Sequence, residues 1–511
     1  MTFDLTNDIR AQFETRPHQP ALHTGGTTWT FAELAARVQG ILDYMPKLAA
    51  DRPLMVAGHK EADAVAAMLA CMFAGRPFVF LDRSNPPSRG QRIIALADAT
   101  DVLCAGTPPA LPDSTVHLLD AIQSRPFDGV GCVEVPDEAL LYLIFTSGST
   151  GEPKGVPVSR GNFSAFDGWY RPMLSNLSAR DLDQTRRGHV NHASLAFDMG
   201  MLDTWPVLGL GRPVIMLDHA HNTMPFMNLA VLKGLDNLRA SSWFSTPSLL
   251  QLMCTDRKFN AETLPELRCF FVGGEVVQRV LVEEIVRRFP DAEIRHAYGP
   301  SEVTCMSHVH VLSQSDLNTK GLLPLGPVRA PNTMRIVGED GHDVPVGEAG
   351  EVELHGPQVV AGYIPHDHPS NRAFVRFQGQ PAYRTGDFGK LDAQGQLTLL
   401  GRIDRQVKWN GNRIELDEID RAASEISGVQ KAACLPVKSD GRVVNIVLFC
   451  QLDDGVTMSL KALSQALVTR LPQAMVPRDI HLIDHLPVTV NGKLDSQALL
   501  AAHEDAFLTD V

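Results

Sequence analysis

"YLIFTSGSTGEPKGVPVSRGN", Tyr142 to Asn162, is the stretch on which the reading of this chain turns. The apolar run Leu140 to Phe145 leads into it, with the length of a buried strand rather than a helix. Three glycines, two serines, two threonines and a lysine then crowd between Thr146 and Gly155. A strand feeding such a loop presents backbone N–H groups to phosphate oxygens. The stretch from Asn162 can start a helix. The nucleotide-binding spacing G-x-x-x-x-G-K-[ST] is not met, because Glu152 and Pro153 follow the glycines and Lys154 precedes Gly155. Two readings stay open on composition: a phosphate loop of another design, or a flexible surface loop.

The 511 residues exceed one ordinary core, and about three packed units are expected from length. A chain 44% hydrophobic and 21% charged has the make-up of a globular protein in water. A formal net charge of -13 argues against a nucleic-acid-binding surface. No basic region followed by an apolar core opens the chain, so no secretory leader is expected. The most apolar stretch, Ala64 to Gly75, falls far short of the ~20 residues a membrane span needs. Eight scattered cysteines without a C-x-x-C pair suggest neither zinc ribbon nor disulfide framework, and a reducing, cytoplasmic setting is expected.

Helix-like and strand-like segments alternate through the first three hundred residues. "TFAELAARVQGILDYM" has helical periodicity with Thr30 as N-cap, and "RPFVFLD" reads as a strand. "EVVQRVLVEEIVRRFP" is an amphipathic helix stopped by Pro290, and "AEIRHAYG" a strand ending in a turn. This is the pattern of α/β layers around mostly parallel sheets. From about Leu325 short strands and glycine turns suggest a β-rich subdomain. Beyond Arg402, "ELDEIDRAASEISGV" puts Leu416, Ile419, Ala423 and Ile426 on one helical face. Strands "KAACLPVK" and "RVVNIVLFCQL" and the helix "SLKALSQALVTRL" follow. The expectation is a large domain over 1–402, of layered α/β subdomains plus the β-rich part, and a small α+β domain over 403–511.

Six further stretches stand in order with the opening loop: "SLAFDMGMLDTW" (194–205), "AYGPSEVT" (297–304), "GEVELHGPQVVAGY" (350–363), "YRTGD" (383–387), "GRIDRQVKWNGNRIELDEID" (401–420) and "NGKLD" (491–495). Each alone is weak. Together they closely resemble the adenylate-forming superfamily of acyl-CoA synthetases, luciferases and peptide-synthetase adenylation domains. The resemblance implies ATP and Mg²⁺ as cofactors. It implies condensation of a carboxylic acid with ATP to an acyl-adenylate, then transfer of the acyl group to a thiol. The small domain is implied to be mobile about a hinge near Asp404.

Site residues carry over position by position. The loop of Thr146, Ser147, Gly148, Ser149, Thr150, Gly151 and Lys154 would close on the ATP phosphates, hydroxyls donating and Lys154 supplying charge. In "AYGPSEVT", Tyr298 would lie against adenine beside Gly299, Ser301 would reach phosphate, and Glu302 would ligate Mg²⁺. Asp387 would accept the ribose hydroxyls and Arg402 contact the same region. Lys493 would bridge the substrate carboxylate and the α-phosphate during adenylation, and Gly411 would line the pantetheine tunnel. Read singly, Glu302 is a loop acid, Asp387 a turn aspartate, Arg402 half of a surface ion pair, and Lys493 a solvated loop tip.

Asp198 follows Phe197 as in the amino-acid-activating branch, where that carboxylate pairs with the substrate ammonium. An acid within an apolar run needs such a partner, or backbone donors. "WFSTPSLLQL" and "FFVGGEVV" are similar to the D-alanine–carrier protein ligases and other stand-alone activators. By that alignment the side-chain pocket is lined by Met199, Leu202, Ser248, Phe271, Gly273, Ala297, Cys305 and Met306. None is charged, so a neutral, small to medium apolar amino acid is expected. Gly273 stands where those ligases carry cysteine, which would open space and favour an L-amino acid. No carrier serine motif or condensation motif is visible, so the acceptor is expected to be a separate phosphopantetheinylated carrier protein. The competing reading is an acid–CoA ligase using free coenzyme A; a nucleotide-binding scaffold is disfavoured by the presence of Lys493, Glu302 and Asp387.

Overall fold

The computed structural model describes residues 5–129, 132–146, 153–177, 184–222, 224–319, 321–439, 441–487 and 494–501. The chain divides into two compact units: 1–83, 93–145 and 155–403 form the larger, and 84–92, 146–154 and 404–511 the smaller.

The larger unit is built on three sheets. A six-stranded sheet runs in the order Thr115–Leu118, Asp101–Cys104, Leu54–Gly58, Phe78–Asp82, Leu140–Thr146, Lys154–Ser159. Its first five strands pair in parallel. Helices Phe31–Tyr44 and Ala62–Phe73 pack on one another beside it. Thr30 caps the first of these in a full capping box with Glu33, as the sequence suggests. The second helix has all but one of its residues buried, which explains its run of alanines: small side chains let the helix sit close to its neighbours on every face.

The eight-stranded sheet is parallel at its centre, Cys269–Gly273, Arg239–Ser245, Arg187–Asn191 and Val214–Met216. Helices supply the crossovers, as parallel pairing requires. Glu293–Tyr298 adds in parallel to Cys269–Gly273, and His308–Val311 pairs with it in antiparallel sense. The expected β-rich part is a five-stranded antiparallel sheet of Thr333–Val337, Ala349–His355, Phe374–Phe377, Gln380–Leu391 and Leu397–Arg402.

Strand Lys154–Ser159 is not apparent from sequence, since Pro157 sits inside it and proline interrupts a central ladder. It lies at the sheet edge, where a missing N–H costs no ladder bond. The following helix, Arg160–Ser175, starts two residues before Asn162. Ser159 is its cap and the Asn162 side chain closes the capping box.

In the smaller unit, strands Val429–Ser439, Arg442–Leu452 and Asp479–Ile483 form one sheet. Helix Leu416–Ser424 packs on it with Leu416, Ile419 and Ala423 buried, and Ile426 follows just past its end. A two-stranded hairpin, Gln406–Trp409 with Asn412–Glu415, turns at Asn410 (φ 49°) and Gly411 (φ 77°). Two positive φ values at an Asn-Gly pair make a type I′ turn, whose twist matches the strands it joins. Among the described residues no helix is long and apolar enough to cross a membrane, and all eight cysteines are free.

Candidate active site

Antiparallel pairing sets Asp387 directly opposite Arg402. Arg402 Nη1 donates to Asp387 Oδ1 at 2.6 Å, and Nη2 to the Thr385 carbonyl at 3.2 Å. Tyr298, the last residue of its strand, donates its phenol to Asp387 Oδ2 at 2.6 Å. The Thr385 hydroxyl donates to the Val352 carbonyl and accepts the Asp387 N–H. Burial, and after it the Asp387 charge, push the Tyr298 phenol well above its ordinary range. The structure thus brings together three residues assigned to adenine and ribose from sequence. A buried carboxylate held between a guanidinium and a phenol can accept hydroxyl donors in a fixed orientation.

The turn after Tyr298 carries the next group. Gly299 admits no side chain, because a Cβ there would sit 2.5 Å from Met306 Cα. Ser301 donates its hydroxyl to Asp198 Oδ2 at 2.5 Å, the carboxylate expected to meet the substrate ammonium. Asp198 opens the short helix Asp198–Leu202, and its Oδ1 accepts the Met199 N–H at 2.7 Å. Glu302 is fully buried and accepts the Tyr363 hydroxyl, which also lies 3.0 Å from the Tyr383 hydroxyl. An oxygen-only carboxylate at this place has the donor chemistry a hard cation such as Mg²⁺ takes.

Thr304 (φ 46°) and Cys305 (φ 68°) are non-glycine residues in the left-handed region, a strained choice that needs support from outside the loop. Gln358 supplies it. Its buried amide donates to the carbonyls of Val303, Thr304 and Met306 at 3.1, 3.1 and 2.8 Å. Thr304 returns a bond to the Gln358 carbonyl, and Trp169 and Asn332 hold the Gln358 oxygen. Sequence reading gave Gln358, Tyr363 and Thr385 no role. Gln358 and Tyr363 lie in the "GPQVVAGY" stretch and Thr385 in "YRTGD", so the motifs themselves were the available signal.

The expected pocket residues Leu202, Phe271, Ala297, Cys305 and Met306 are buried in one apolar cluster, with Met199 packed against it. Cys305 Sγ lies 3.9 Å from the Asp198 carbonyl, and burial pushes its thiol well up, with Asp198 adding to the effect. Ser248 is turned to Glu275, which accepts both its N–H and its hydroxyl. The expectation that Gly273 opens space fails. A Cβ at Gly273 would lie 2.4 Å from the Ala297 carbonyl oxygen, so the neighbouring strand's backbone already fills that direction.

Of the phosphate loop, Ser147, Gly148, Ser149, Thr150 and Gly151 lie outside the described residues, as does Lys493. Thr146 ends its strand with its hydroxyl buried and, among the described residues, without a hydrogen-bond partner, a polar group of the kind a ligand satisfies. Lys154 is buried, with Nζ 3.8 Å from Glu415 Oε1. Asp404 is exposed, and its Oδ1 accepts the Gln406 N–H at 3.2 Å.

Comparison with known proteins gives the site a family. The AMP-binding enzyme model matches residues 9–364, and the AMP-binding enzyme C-terminal domain model matches 418–493. The chain is 31% identical to a D-alanine–D-alanyl carrier protein ligase of Lactiplantibacillus plantarum, over 98% of this chain and 99% of that one. It is 32% identical to a protein of the same name from Bacillus licheniformis, over 93% of each. Among solved structures, the Vibrio cholerae adenylation domain AlmE in complex with glycyl-adenosine-5'-phosphate shares the fold. Its TM-score is 0.82 at 21% identity, over 98% of both chains. The matched span contains Thr146, Asp198, Tyr298 and Glu302 and, with 31% identity to a relative over nearly the full chain, makes this chain a member of the AMP-binding enzyme family.

Proposed function

We propose that this chain is an amino acid–carrier protein ligase of the AMP-forming kind, acting in the cytoplasm on a small neutral amino acid. One observation carries the amino acid over other acids: the half-buried Asp198 carboxylate, beside apolar Met199 and Leu202 and oriented by Ser301 and the Met199 N–H. A carboxylate that a bound substrate would seal from water suits an ammonium and would be costly opposite an uncharged acid. The names of the relatives, which specify an amino acid and a carrier protein, support the same reading. Close packing of Leu202, Phe271, Ala297 and Met306 favours a small side chain. With Gly273 filled by its neighbour's backbone, the ground for preferring an L-substrate over D-alanine is gone.

In the first half-reaction a carboxylate oxygen of the amino acid attacks the α-phosphorus of ATP, and the bond to the β-phosphate oxygen breaks, releasing pyrophosphate. Asp198 holds the ammonium, Asp387 with Tyr298 and Arg402 orients the nucleoside, and Thr146 and Lys154 face the phosphates. Lys493 stabilises charge on the attacking and α-phosphate oxygens. Glu302 would hold Mg²⁺, which would add charge neutralisation at the phosphates. In the second, the pantetheine sulfur attacks the acyl carbon and AMP leaves. The small domain turns about Asp404, withdrawing Lys493 and bringing Gly411 to the thiol's path.

Pyrophosphate exchange over a panel of D- and L-amino acids tests the first step, with exchange expected for alanine, glycine or serine and not for short fatty acids. Thioester formation is then measured with a carrier protein or with free coenzyme A as acceptor. Exchange supported by no amino acid, or thioester made faster with coenzyme A, would overturn the reading.

A further inference from the structure

Three side chains that the adenylation chemistry does not use converge in the larger unit. His59 follows strand Leu54–Gly58, Asp82 closes strand Phe78–Asp82, and His219 begins the turn His219–His221. His59 Nδ1 lies 3.4 Å, and His219 Nε2 3.3 Å, from the same Asp82 Oδ2. The imidazole centroids are 3.9 Å apart, and one ligand atom from each of the three residues lies within 4.8 Å of the other two. A tetrahedral ion with bonds of about 2.0–2.1 Å holds its ligand atoms about 3.3 Å from one another.

The surrounding hydrogen bonds make the geometry chemically specific. His59 Nε2 lies 2.6 Å from Asp218 Oδ1, a carboxylate–imidazole pair of the sort that fixes the tautomer of a metal-ligating histidine. With the proton on Nε2, Nδ1 turns a lone pair towards Asp82 Oδ2. That Nδ1 is buried, and among the described residues the polar atom it faces is Asp82 Oδ2 at 3.4 Å, longer than an ordinary hydrogen bond. Two acceptors 3.4 Å apart repel unless a proton or a metal cation lies between them, and the convergence of His219 Nε2 on the same oxygen suits the metal. Ser194 fixes the Asp82 carboxylate by donating to Oδ2 at 2.8 Å. Lys60, the buried cation nearby, directs its ammonium to Asn191 and the Ala193 carbonyl.

We propose that His59, Asp82 and His219 form a zinc-type divalent cation site, with Asp218 as outer partner of His59 and water completing the coordination. Two imidazoles and a carboxylate suit Zn²⁺ and its first-row neighbours, whereas Mg²⁺ prefers oxygen donors. The ion ties the ends of two parallel strands of the six-stranded sheet to the turn after Val214–Met216 of the eight-stranded sheet, and so acts as a structural clamp.

The test uses the untagged full-length chain, stripped with a chelator and dialysed in excess Mg²⁺. Zn²⁺ titration by calorimetry should give one site per chain, with a rise in melting temperature on loading. Co²⁺ should give the visible absorption of a tetrahedral nitrogen–oxygen site in the wild-type chain, a readout independent of any variant. His219→Gln, at the more exposed ligand, should lower Zn²⁺ affinity at least about 100-fold, and Asp218→Asn about 10–100-fold. No stoichiometric Zn²⁺ binding to the wild-type chain would overturn the proposal. So would binding that a folded His219→Gln chain retains unchanged, or a purely octahedral Co²⁺ spectrum.

Discussion

Replacing Asp198 by asparagine separates its possible duties, because the structure shows what each oxygen is doing. Oδ1 accepts the Met199 N–H, a bond an amide oxygen keeps, so the helix start and the fold should survive. Oδ2 accepts the Ser301 hydroxyl at 2.5 Å and is the side on which a substrate ammonium would add. Neutralising one partner of a buried ion pair costs about 3–5 kcal/mol, which is a loss of about two to four powers of ten in kcat/KM for the amino acid. Ser301→Ala removes only a hydrogen bond to a charged group, worth about 1.5–3 kcal/mol, or about 10- to 100-fold. Amino-acid-dependent pyrophosphate exchange, with KM for ATP followed separately and melting temperature as the control for folding, reads both. If Asp198 binds the ammonium, Asp198→Asn still imposes most of its loss in the Ser301→Ala background. If it serves only to hold Ser301, the two substitutions together are no worse than Ser301→Ala alone. That second outcome, or a wild-type rate in Asp198→Asn, would refute the reasoning.

Gly273→Cys should lower stability by about 1–3 kcal/mol through overpacking against the Ala297 backbone; a variant that melts like the wild type and merely shifts towards smaller substrates would show that the strand yields. Lys493→Ala should slow adenylate formation by about three orders of magnitude or more, on the scale of charge stabilisation at a reacting oxygen, while sparing transfer from preformed aminoacyl-adenylate; equal losses in both half-reactions would remove the domain-alternation account. Burial pushes the His296 imidazole down to about 4, the Pro324 carbonyl opposing, so between pH 6.5 and 4 the unfolded chain binds a proton the folded one does not. Stability from this group is therefore present above pH 6.5 and lost on acidification, at up to about 1.4 kcal/mol per pH unit. Asp167, which burial pushes up to about 7, works in the opposite sense. The diagnostic quantity is thus the difference between wild type and His296→Gln in denaturant midpoint across pH 7 to 4.5, and parallel curves would contradict it.

Local signals carried much of the architecture. Thr30 announced a helix start, alternation announced the parallel sheets, and Asn410–Gly411 lay within a stretch the motif reading had already singled out. What escaped depended on direction or on distant partners. Whether position 273 points into a pocket or at a neighbouring strand is a matter of the strand's pleat and register, which a motif alignment does not state. Gln358 earns its importance from carbonyls more than fifty positions away. His59, Asp82 and His219 share no spacing and meet only because parallel strands end at the same side of the fold. Lys154–Ser159 was hidden by a proline that only an edge position permits.

The loop through Thr304 and Cys305, pinned by one glutamine amide, limits how this enzyme could be re-purposed. Residues of a specificity pocket are commonly imagined as interchangeable parts, yet position 305 must accept a left-handed backbone before its side chain can contribute selectivity. Asparagine, aspartate or glycine would tolerate that conformation, whereas valine or isoleucine would strain it. Any library that varies Cys305 therefore samples loop geometry together with side-chain chemistry. Its survivors should be thinned by backbone shape before catalysis has been consulted, unless the Gln358 anchor is redesigned alongside.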